Sequence, residues 1–491
     1  MKINYIFSSK TWIYMFMIGA IGFGFTGCKK FLDVNQNPNN PDNADPNLLL
    51  PTVEAAIGQV VGNNFQITGS FYAQYWTQST FASQYKTTDQ YALTNVAFDG
   101  AWSNIYRRAL VNSYLIINNP QTSAYTKGIT YILQAYTYQV ATDAFGDIPL
   151  TQALQGNGYG SPKYDSQQMV YDSVFNFIDK GVALLKTPNG VSPGSQDIVF
   201  QGDADKWVAF ANTLKLRAYL RIANKDINKS KAGIAALYQS SATFLTTDAS
   251  IKYNSTGGNE NPLYNEMVAL GKTQNLVASA TAVRSMLANN DPRLKKFYDP
   301  VPNSGSDTIA YIPQGSYQIN VNKKVSIPTT LVAGNPLDQA SALVPVKLIS
   351  ASESYFLQAE AVARGFASGD VNALFTNGIN ASFTATGLTA ADATTYIAGA
   401  KDAKIAGAPQ DTVVKRIITQ KYYAMNGTQG FEAWTEYRRT GYPDFLIFSK
   451  ASILGAGQRP QRFLYPNSEA VSNLNYPGTV PSTTPVWWAT K

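Results

Sequence analysis

Apolar side chains spaced for one face of an α-helix recur along this chain while strand-like alternation is sparse, and that pattern confines the body to a helical architecture. Phe98, Trp102, Ile105, Tyr106, Ala109 and Leu110 fall at i, i+4, i+7, i+8, i+11 and i+12. Trp207, Phe210, Ala211, Leu214, Ala218 and Ile222 repeat the pattern. Further helices are predicted near 50–61, 65–79, 124–142, 167–186, 278–288, 370–384, 411–425 and 429–438. Asp165 with Gln168 reads as a capping box whose Tyr164 staples onto Met169, and Ser350 with Glu353 as another, opening "SYFLQAEAVARG", which stops at Gly365. Small residues in "AEAVARGFASGDVNALFTNGI" let two helices approach closely, so stacked helix pairs of the tetratricopeptide kind are expected, although no clean 34-residue repeat is visible. The alternating runs near 308–328 predict a short hairpin. The fold class is therefore mainly all-α, with minor short strands and long loops rich in Gly, Asn, Ser, Tyr and Pro at 80–97, 155–165, 187–202, 250–275, 300–346 and 455–491. Loops of this length in a compact domain are usually functional.

Composition removes whole classes of chemistry. The chain has no histidine, which excludes Ser–His–Asp and Cys–His catalysis and imidazole metal ligation. A single cysteine excludes an internal disulfide and a Cys-rich zinc site. At 45% hydrophobic and 14% charged the chain has ample material for a core. The net charge of +7 is mild, two of those charges precede the N-terminal apolar run, and no Lys/Arg run exceeds two residues, so nucleic acid is not expected as a partner.

The lone cysteine sits in "GFGFTGCKKFLDVNQNPNN". Lys2 and Lys10 form a basic n-region ahead of the apolar segment Trp12 to Gly27, too short to span a bilayer, which takes about 20 residues. Thr26 and Gly27 directly precede Cys28, the arrangement of bacterial lipoprotein processing, with Phe25 where Leu is commonest. Residues 1–27 are thus expected to be a signal peptide, Cys28 the lipidated N-terminus, 28–47 a tether and 48–491 a single helical domain. Each buried methylene contributes about 0.8 kcal/mol, so two acyl chains suffice to anchor the protein. Pro38, Pro41 and Pro46 among Asn and Gln keep the tether from helix, and its length extends to at most roughly 60 Å. "DVNQN" imitates a calcium loop through Asp33, Asn35 and Asn37, but Pro38 stands where Gly is needed and Ala44 where a bidentate Glu is needed, so no metal site is assigned.

The segments "CKKFLDVNQNPNNP", "NLLLP", "TDAFGDIPLTQAL", "SPKYDSQQMVYDSV", "DKWVAFANTLKLRAYLRI", "ESYFLQAEAVARG", "IITQKYYAMNGTQGFEAWTEYRRTGYPDF" and "RFLYPNSE" occur in an order that resembles the SusD/RagB family of nutrient-binding outer-membrane lipoproteins, from Cys28 to about Tyr476. The resemblance implies four tetratricopeptide-like helix pairs against a loop-rich remainder, and a place on the cell surface over a TonB-dependent transporter of the SusC type. It also implies capture and delivery of oligosaccharides, or in some members peptides, without catalysis and without a cofactor.

Carbohydrate sites pair flat aromatic rings with amide and charged hydrogen-bonders. The densest such stretch is "FYAQYWTQSTFASQYKTTDQY", offering Trp76, Tyr85 and Tyr91, and the family commonly carries binding aromatics in the corresponding region. The bland alternative is that Tyr72, Tyr75 and Trp76 form a core-facing helix stripe. Further candidates are Asn259, Asn261 and Tyr264 in "GGNENPLYNEM", and Tyr311 and Tyr317 in the expected hairpin. "GNGYGS" lacks phosphate-cradle spacing and is read as a loop. "GFEAWTEYRRTGYP" is read as a structural ion-pair cluster of Glu432, Glu436, Arg438 and Arg439. Peptide binding and glycoside hydrolysis by an unidentified carboxylate pair remain the competing functions.

Overall fold

The computed structural model describes residues 46–301 and 304–490. The signal peptide, Cys28, the "DVNQN" segment and the tether as far as Asp45 lie outside the described residues, and the last two residues of the expected tether, Pro46 and Asn47, instead open a helix. The body from Pro46 onward carries fifteen principal helical rods among its described residues. These are α1 (Pro46–Gly62), α2 (Asn64–Tyr72), α3 (Asp99–Ser103 continuing through a π-helical stretch Asn104–Leu110 into Val111–Asn118), α4 (Ala124–Phe145), α5 (Gln167–Leu185), α6 (Ala204–Ile222), α7 (Ile227–Gln239) and α8 (Pro262–Ala269). They continue with α9 (Ala280–Ala288), α10 (Ala351–Ala363), α11 (Val371–Ala385), α12 (Ala390–Gly399), α13 (Gln410–Ala424), α14 (Gly430–Thr440) and α15 (Asn467–Ser472). Among the described residues no helix is long and apolar enough to cross a membrane.

Consecutive helices pack as pairs, α4 with α5, α6 with α7, and α10 with α11, while α13 packs on α10 and α14 on α2. Glycine decides how closely two of these pairs approach. A Cβ on Gly128 of α4 would stand 2.9 Å from the Gly181 carbonyl of α5, and one on Gly181 would stand 2.7 Å from the Gly128 carbonyl. On α11, a Cβ at Gly378 would meet the Phe356 ring of α10 at 2.6 Å, the close approach that the small residues of this segment predict. α10 is capped by Ser350 Oγ accepting from the Glu353 N–H at 3.2 Å. The helix ends at Ala363, ahead of Gly365 at φ +70°.

Several expectations are corrected. α2 stops at Tyr72, because Gln74 turns into the left-handed region at φ +62° and the chain continues as strand β1 (Trp76–Gln78). The cap of α5 is Ser166, whose Oγ accepts from the Met169 N–H at 3.3 Å. Asp165 instead accepts from the Leu150 and Thr151 N–H groups at 2.9 and 2.7 Å, tying β3 (Tyr164–Asp165) to β2 (Ile148–Pro149). The 308–328 stretch forms no hairpin ladder: its two ends meet through one backbone bond, Ser326 N–H to the Ala310 carbonyl at 2.9 Å, and through the Ala310 N–H donating to Ser326 Oγ at 3.0 Å. Its end, β7 (Ile327–Pro328), pairs with β6 (Tyr298–Asp299), and Ile312 bridges to Ser279. Two more antiparallel pairs complete the strands: β1 with β5 (Leu276–Ala278), and β4 (Ala249–Ile251) with β8 (Val346–Ile349). Short polar helices α7, α8, α12 and α15 occupy segments whose composition reads as loop or carries no helical pattern.

The "GFEAWTEYRRTGYP" cluster is structural, and wholly buried. Arg221 donates to Glu432 at 2.5 Å and to Glu436 at 2.6 Å, and Arg439 donates to Glu360 at 2.7 Å and to Glu436 at 2.6 Å. Lys421 Nζ stands 3.2 Å from Glu436, and Arg217 donates to Glu353 at 3.4 Å. Arg438 lies with its guanidinium 3.7 Å from the Trp434 ring centroid and donates to the Asp143 and Gln461 carbonyls. The network joins α6, α10, α13 and α14, so it locks helix pairs that are far apart in sequence.

Candidate functional site

A cleft of about 430 Å³ opens beside α9. Its floor is apolar, from Ala280, Ala288, Pro313, Phe445 and Ile447. Its polar groups are Thr281, Arg284, Ser285, Asn289, Lys401 and Asp402. Such a mixture of an apolar base with a few convergent polar groups is the composition of a small-ligand site.

The local chain explains why these groups converge. α9 begins where β5 ends: the Ser279 N–H donates to the Tyr75 carbonyl at 3.1 Å and the Ala280 N–H to the Ile312 carbonyl at 2.8 Å, which fixes the helix start against two neighbouring segments. Arg284, Ser285, Ala288 and Asn289 then follow at i, i+1, i+4 and i+5 and face the cleft together. At the far end, Asn289 Nδ2 donates to Asp402 Oδ2 at 2.8 Å while its Oδ1 accepts the Asp402 N–H at 3.0 Å. Tyr423 closes the triangle, donating to Asp402 Oδ2 at 3.4 Å and accepting from Ser285 Oγ at 2.9 Å. Burial, with the Asp402 charge adding to it, holds the Tyr423 phenol well above its usual value, so it stays a neutral donor.

The floor is braced from beneath. Phe445 stacks on Tyr423 with centroids 6.5 Å apart and meets Tyr422 edge-on at 5.6 Å. Tyr422 in turn donates to the Ala73 carbonyl at 2.9 Å and packs on Tyr75 at 4.5 Å. The left-handed turn at Gln74 aims its amide at Ile447. Gln74 Oε1 accepts the Ile447 N–H at 3.0 Å and the Thr281 hydroxyl at 2.7 Å, and its Nε2 donates to the Ile447 carbonyl. One buried side chain thus ties the floor loop to the first turn of α9. Arg459 holds the same loop from the other side, donating to the Leu446 carbonyl at 2.8 Å with its guanidinium 4.1 Å from the Phe448 ring centroid.

Of the residues singled out by sequence, Tyr311 alone adjoins this cleft: it is half-buried, with the Arg284 guanidinium 5.5 Å from its ring centroid. Trp76 is fully buried on β1 opposite Ala278 and presents no open face. Tyr85 packs on Phe71 at 5.8 Å, and burial drives its phenol far above its usual value. Tyr91 sits at φ +58° edge-on to Tyr72, its phenol pushed up to about 12 by burial and the Asp89 charge. Of the 71–91 aromatics Phe81 is exposed, while Trp76, Tyr85 and Tyr91 therefore serve as core. They close over Asp89, which accepts from Thr77 Oγ1, the Gln78 N–H and Gln314 Nε2 at 2.6, 3.0 and 2.6 Å and whose carboxyl burial lifts to about 6. Asn261 is the cap of α8, accepting from the Leu263 N–H at 2.8 Å, and Tyr264 is buried on that helix. Asn259 is exposed in a separate surface loop, and Tyr317 is buried beneath Lys86. Arg284, Asn289, Asp402 and Phe445 carry no recognisable motif, since residues from four separate segments meet here only through the tertiary fold. Among the described residues no group of three or more acids or cysteines is disposed to hold a metal ion.

Comparison with known proteins follows from this architecture. No curated protein matches the chain. A chitin-binding SusD homolog from Flavobacterium johnsoniae shares the fold with a TM-score of 0.74 at 24% identity, covering 89% of this chain and 98% of the homolog. A SusD/RagB family protein from Bacteroides thetaiotaomicron gives a TM-score of 0.75 at 23% identity, covering 91% and 100%. A SusD homolog from Bacteroides uniformis gives 0.72 at 25%, covering 90% and 99%. The model of a SusD-like family described as starch-binding and associating with the outer membrane matches residues 38–466, and the chain accordingly belongs to that SusD-like family.

Proposed function

We propose that this protein is a lipid-anchored, cell-surface binding protein that captures oligosaccharides in the cleft beside α9 and delivers them to a TonB-dependent outer-membrane transporter of the SusC type. The observation that carries the reading is the cleft itself, in a chain of a family described as starch-binding: Phe445 offers a flat face for sugar C–H groups, while Ser285, Asn289, Arg284 and Lys401 offer hydrogen bonds at the rim. The Cys28 processing signal and the family's association with the outer membrane support the location. Binding without turnover is favoured because glycoside hydrolysis generally needs two carboxylates flanking the bond, and Asp402 is the single acid among the described lining residues.

Isothermal titration of the full chain in detergent against soluble oligosaccharides tests capture. Replacement of Phe445 by Ala should weaken a bound sugar by about 1–3 kcal/mol. Unchanged affinity would place the sugar elsewhere, and binding of peptides in place of sugars would move the reading to a peptide-binding lid. Delivery is tested by affinity isolation of the tagged protein from solubilised outer membrane, where a large β-barrel in near-equal amount is expected.

A further inference from the structure

We infer that the cleft selects acidic oligosaccharides, those carrying a carboxylate or a sulfate ester, with Arg284 as the anion-binding group. This deepens the reading of the cleft as the saccharide site and rests on it. The observation behind it is an imbalance of charge. Among the buried cations Arg217, Arg221, Arg293, Lys421 and Arg439 each stand within 4 Å of a carboxylate, and Arg438 donates to backbone carbonyls. Arg284 and Lys401, both exposed and both lining the cleft, have no carboxylate partner among the described residues. The Arg284 guanidinium lies over the Tyr311 ring, 5.5 Å from its centroid, and among the described residues its N–H groups have no hydrogen-bond partner.

The one acid of the cleft does not neutralise them. Asp402 Oδ2 accepts from Asn289 at 2.8 Å and from Tyr423 at 3.4 Å, which orients the carboxylate toward the α9 terminus. A third cation stands behind the ring: Lys323 Nζ donates to the Tyr311 carbonyl at 3.1 Å. A neutral sugar leaves Arg284 and Lys401 without an ion-pair partner in the cleft. A sugar with a carboxylate or sulfate accepts two parallel N–H bonds from Arg284, the geometry in which guanidinium binds such groups most strongly.

The test is titration of the full chain in detergent with three probes of equal length: a neutral glucan oligosaccharide, a uronic-acid oligosaccharide and a sulfated oligosaccharide. At least one acidic probe should bind about tenfold more tightly than the neutral one at low salt, an advantage that shrinks as ionic strength rises to about 0.5 M. Preference between the two acidic probes identifies which anion is the ligand. Arg284→Gln should abolish the advantage of the acidic probe over the neutral one, and Arg284→Lys should retain part of it by charge alone. Arg284 is exposed on α9, so these variants should fold with unchanged thermal midpoints. Neutral and acidic probes binding equally, or Arg284→Gln weakening both alike, would overturn the inference while leaving the saccharide site standing. Binding of an acidic peptide and of no saccharide would overturn both.

Discussion

Replacing Glu436 by Gln tests whether the buried charge network holds the helix pairs together. Glu436 accepts from Arg221 Nη1 at 2.6 Å and from Arg439 Nε and Nη2 at 2.9 and 2.6 Å, with Lys421 Nζ at 3.2 Å. Burial alone would raise its carboxyl, but Arg439, Lys421 and Arg221 outweigh that and hold it well below its usual value. Glutamine keeps the shape and removes the charge, leaving Arg217, Arg221, Lys421, Arg438 and Arg439 against Glu353, Glu360, Glu432 and Asp143. Breaking a buried pair from one side costs about 3–5 kcal/mol.

For a body spanning Pro46–Lys491 the unfolding entropy is about 0.9 kcal/mol/K, so the thermal midpoint should fall by about 3–5 °C near pH 7. The pH dependence has a definite sign. A carboxyl whose folded pKa is depressed contributes fully above its unfolded value, about 4.3, and loses that contribution as pH falls through the folded one. The gap between wild type and Glu436→Gln should therefore close below about pH 4. Lys295→Gln is the comparison, since its partner Asp307 is exposed and such a pair is worth about 0–1 kcal/mol. Scanning calorimetry of the three proteins decides it. Glu436→Gln melting within the shift given by Lys295→Gln, or a gap that persists unchanged in acid, would refute the reasoning.

Three other perturbations follow from named contacts. Glu54 is buried against Asp197, and burial first and the Asp197 charge second hold its carboxyl well above its usual value. A raised folded pKa lowers stability as pH climbs from the unfolded value to the folded one, so Glu54→Gln should flatten that decline in a pH series of melts and match or exceed wild type above neutrality. Gly378→Val drives its side chain into the Phe356 ring and should cost about 1–3 kcal/mol or more, read as a lower urea midpoint at unchanged slope. Gln74→Ala leaves the Ile447 N–H and carbonyl and the Thr281 hydroxyl without their partner, at about 1–3 kcal/mol. It should also free the cleft floor, so titration should show weaker saccharide binding than the stability loss alone explains.

A helix such as α6 is legible because it buries one continuous stripe, Trp207, Phe210, Ala211 and Leu214. α8 and α15 are not, being too short for a stripe to show, and α7 buries a sparse one of Ser230, Ile234 and Leu237 that only two apolar side chains mark. α12 did leave a mark that went unread: Thr389 and Asp392 form a reciprocal capping box at its start, with bonds of 3.2 and 2.8 Å. The over-extended α2 has the opposite cause. Phe71, Tyr72, Tyr75 and Trp76 continue a helical spacing in sequence, yet β1 is buried on both faces, and a strand buried that way shows no alternation to betray it.

The same physics explains why aromatic density misdirects the search for the ligand. In a chain with 30 tyrosines and no histidine, most rings are needed to fill the interior, and the phenol of Tyr72, Tyr75, Tyr85 or Tyr422 is driven by burial into permanent neutrality. A ring available to a sugar must instead lie at the edge of the core, supported from beneath and open above, as Phe445 is by Tyr422 and Tyr423. What separates such an edge from ordinary surface is the unspent hydrogen-bonding capacity beside it. The guanidinium groups of Arg217, Arg221, Arg293, Arg438 and Arg439 are spent on carboxylates, amides and carbonyls, so a cation facing a cleft without a partner marks where the fold has left an interaction to be completed by something else. Arg284 over Tyr311 satisfies both conditions, and neither is visible until α9, the 311–313 segment and the 445–447 loop have been brought together.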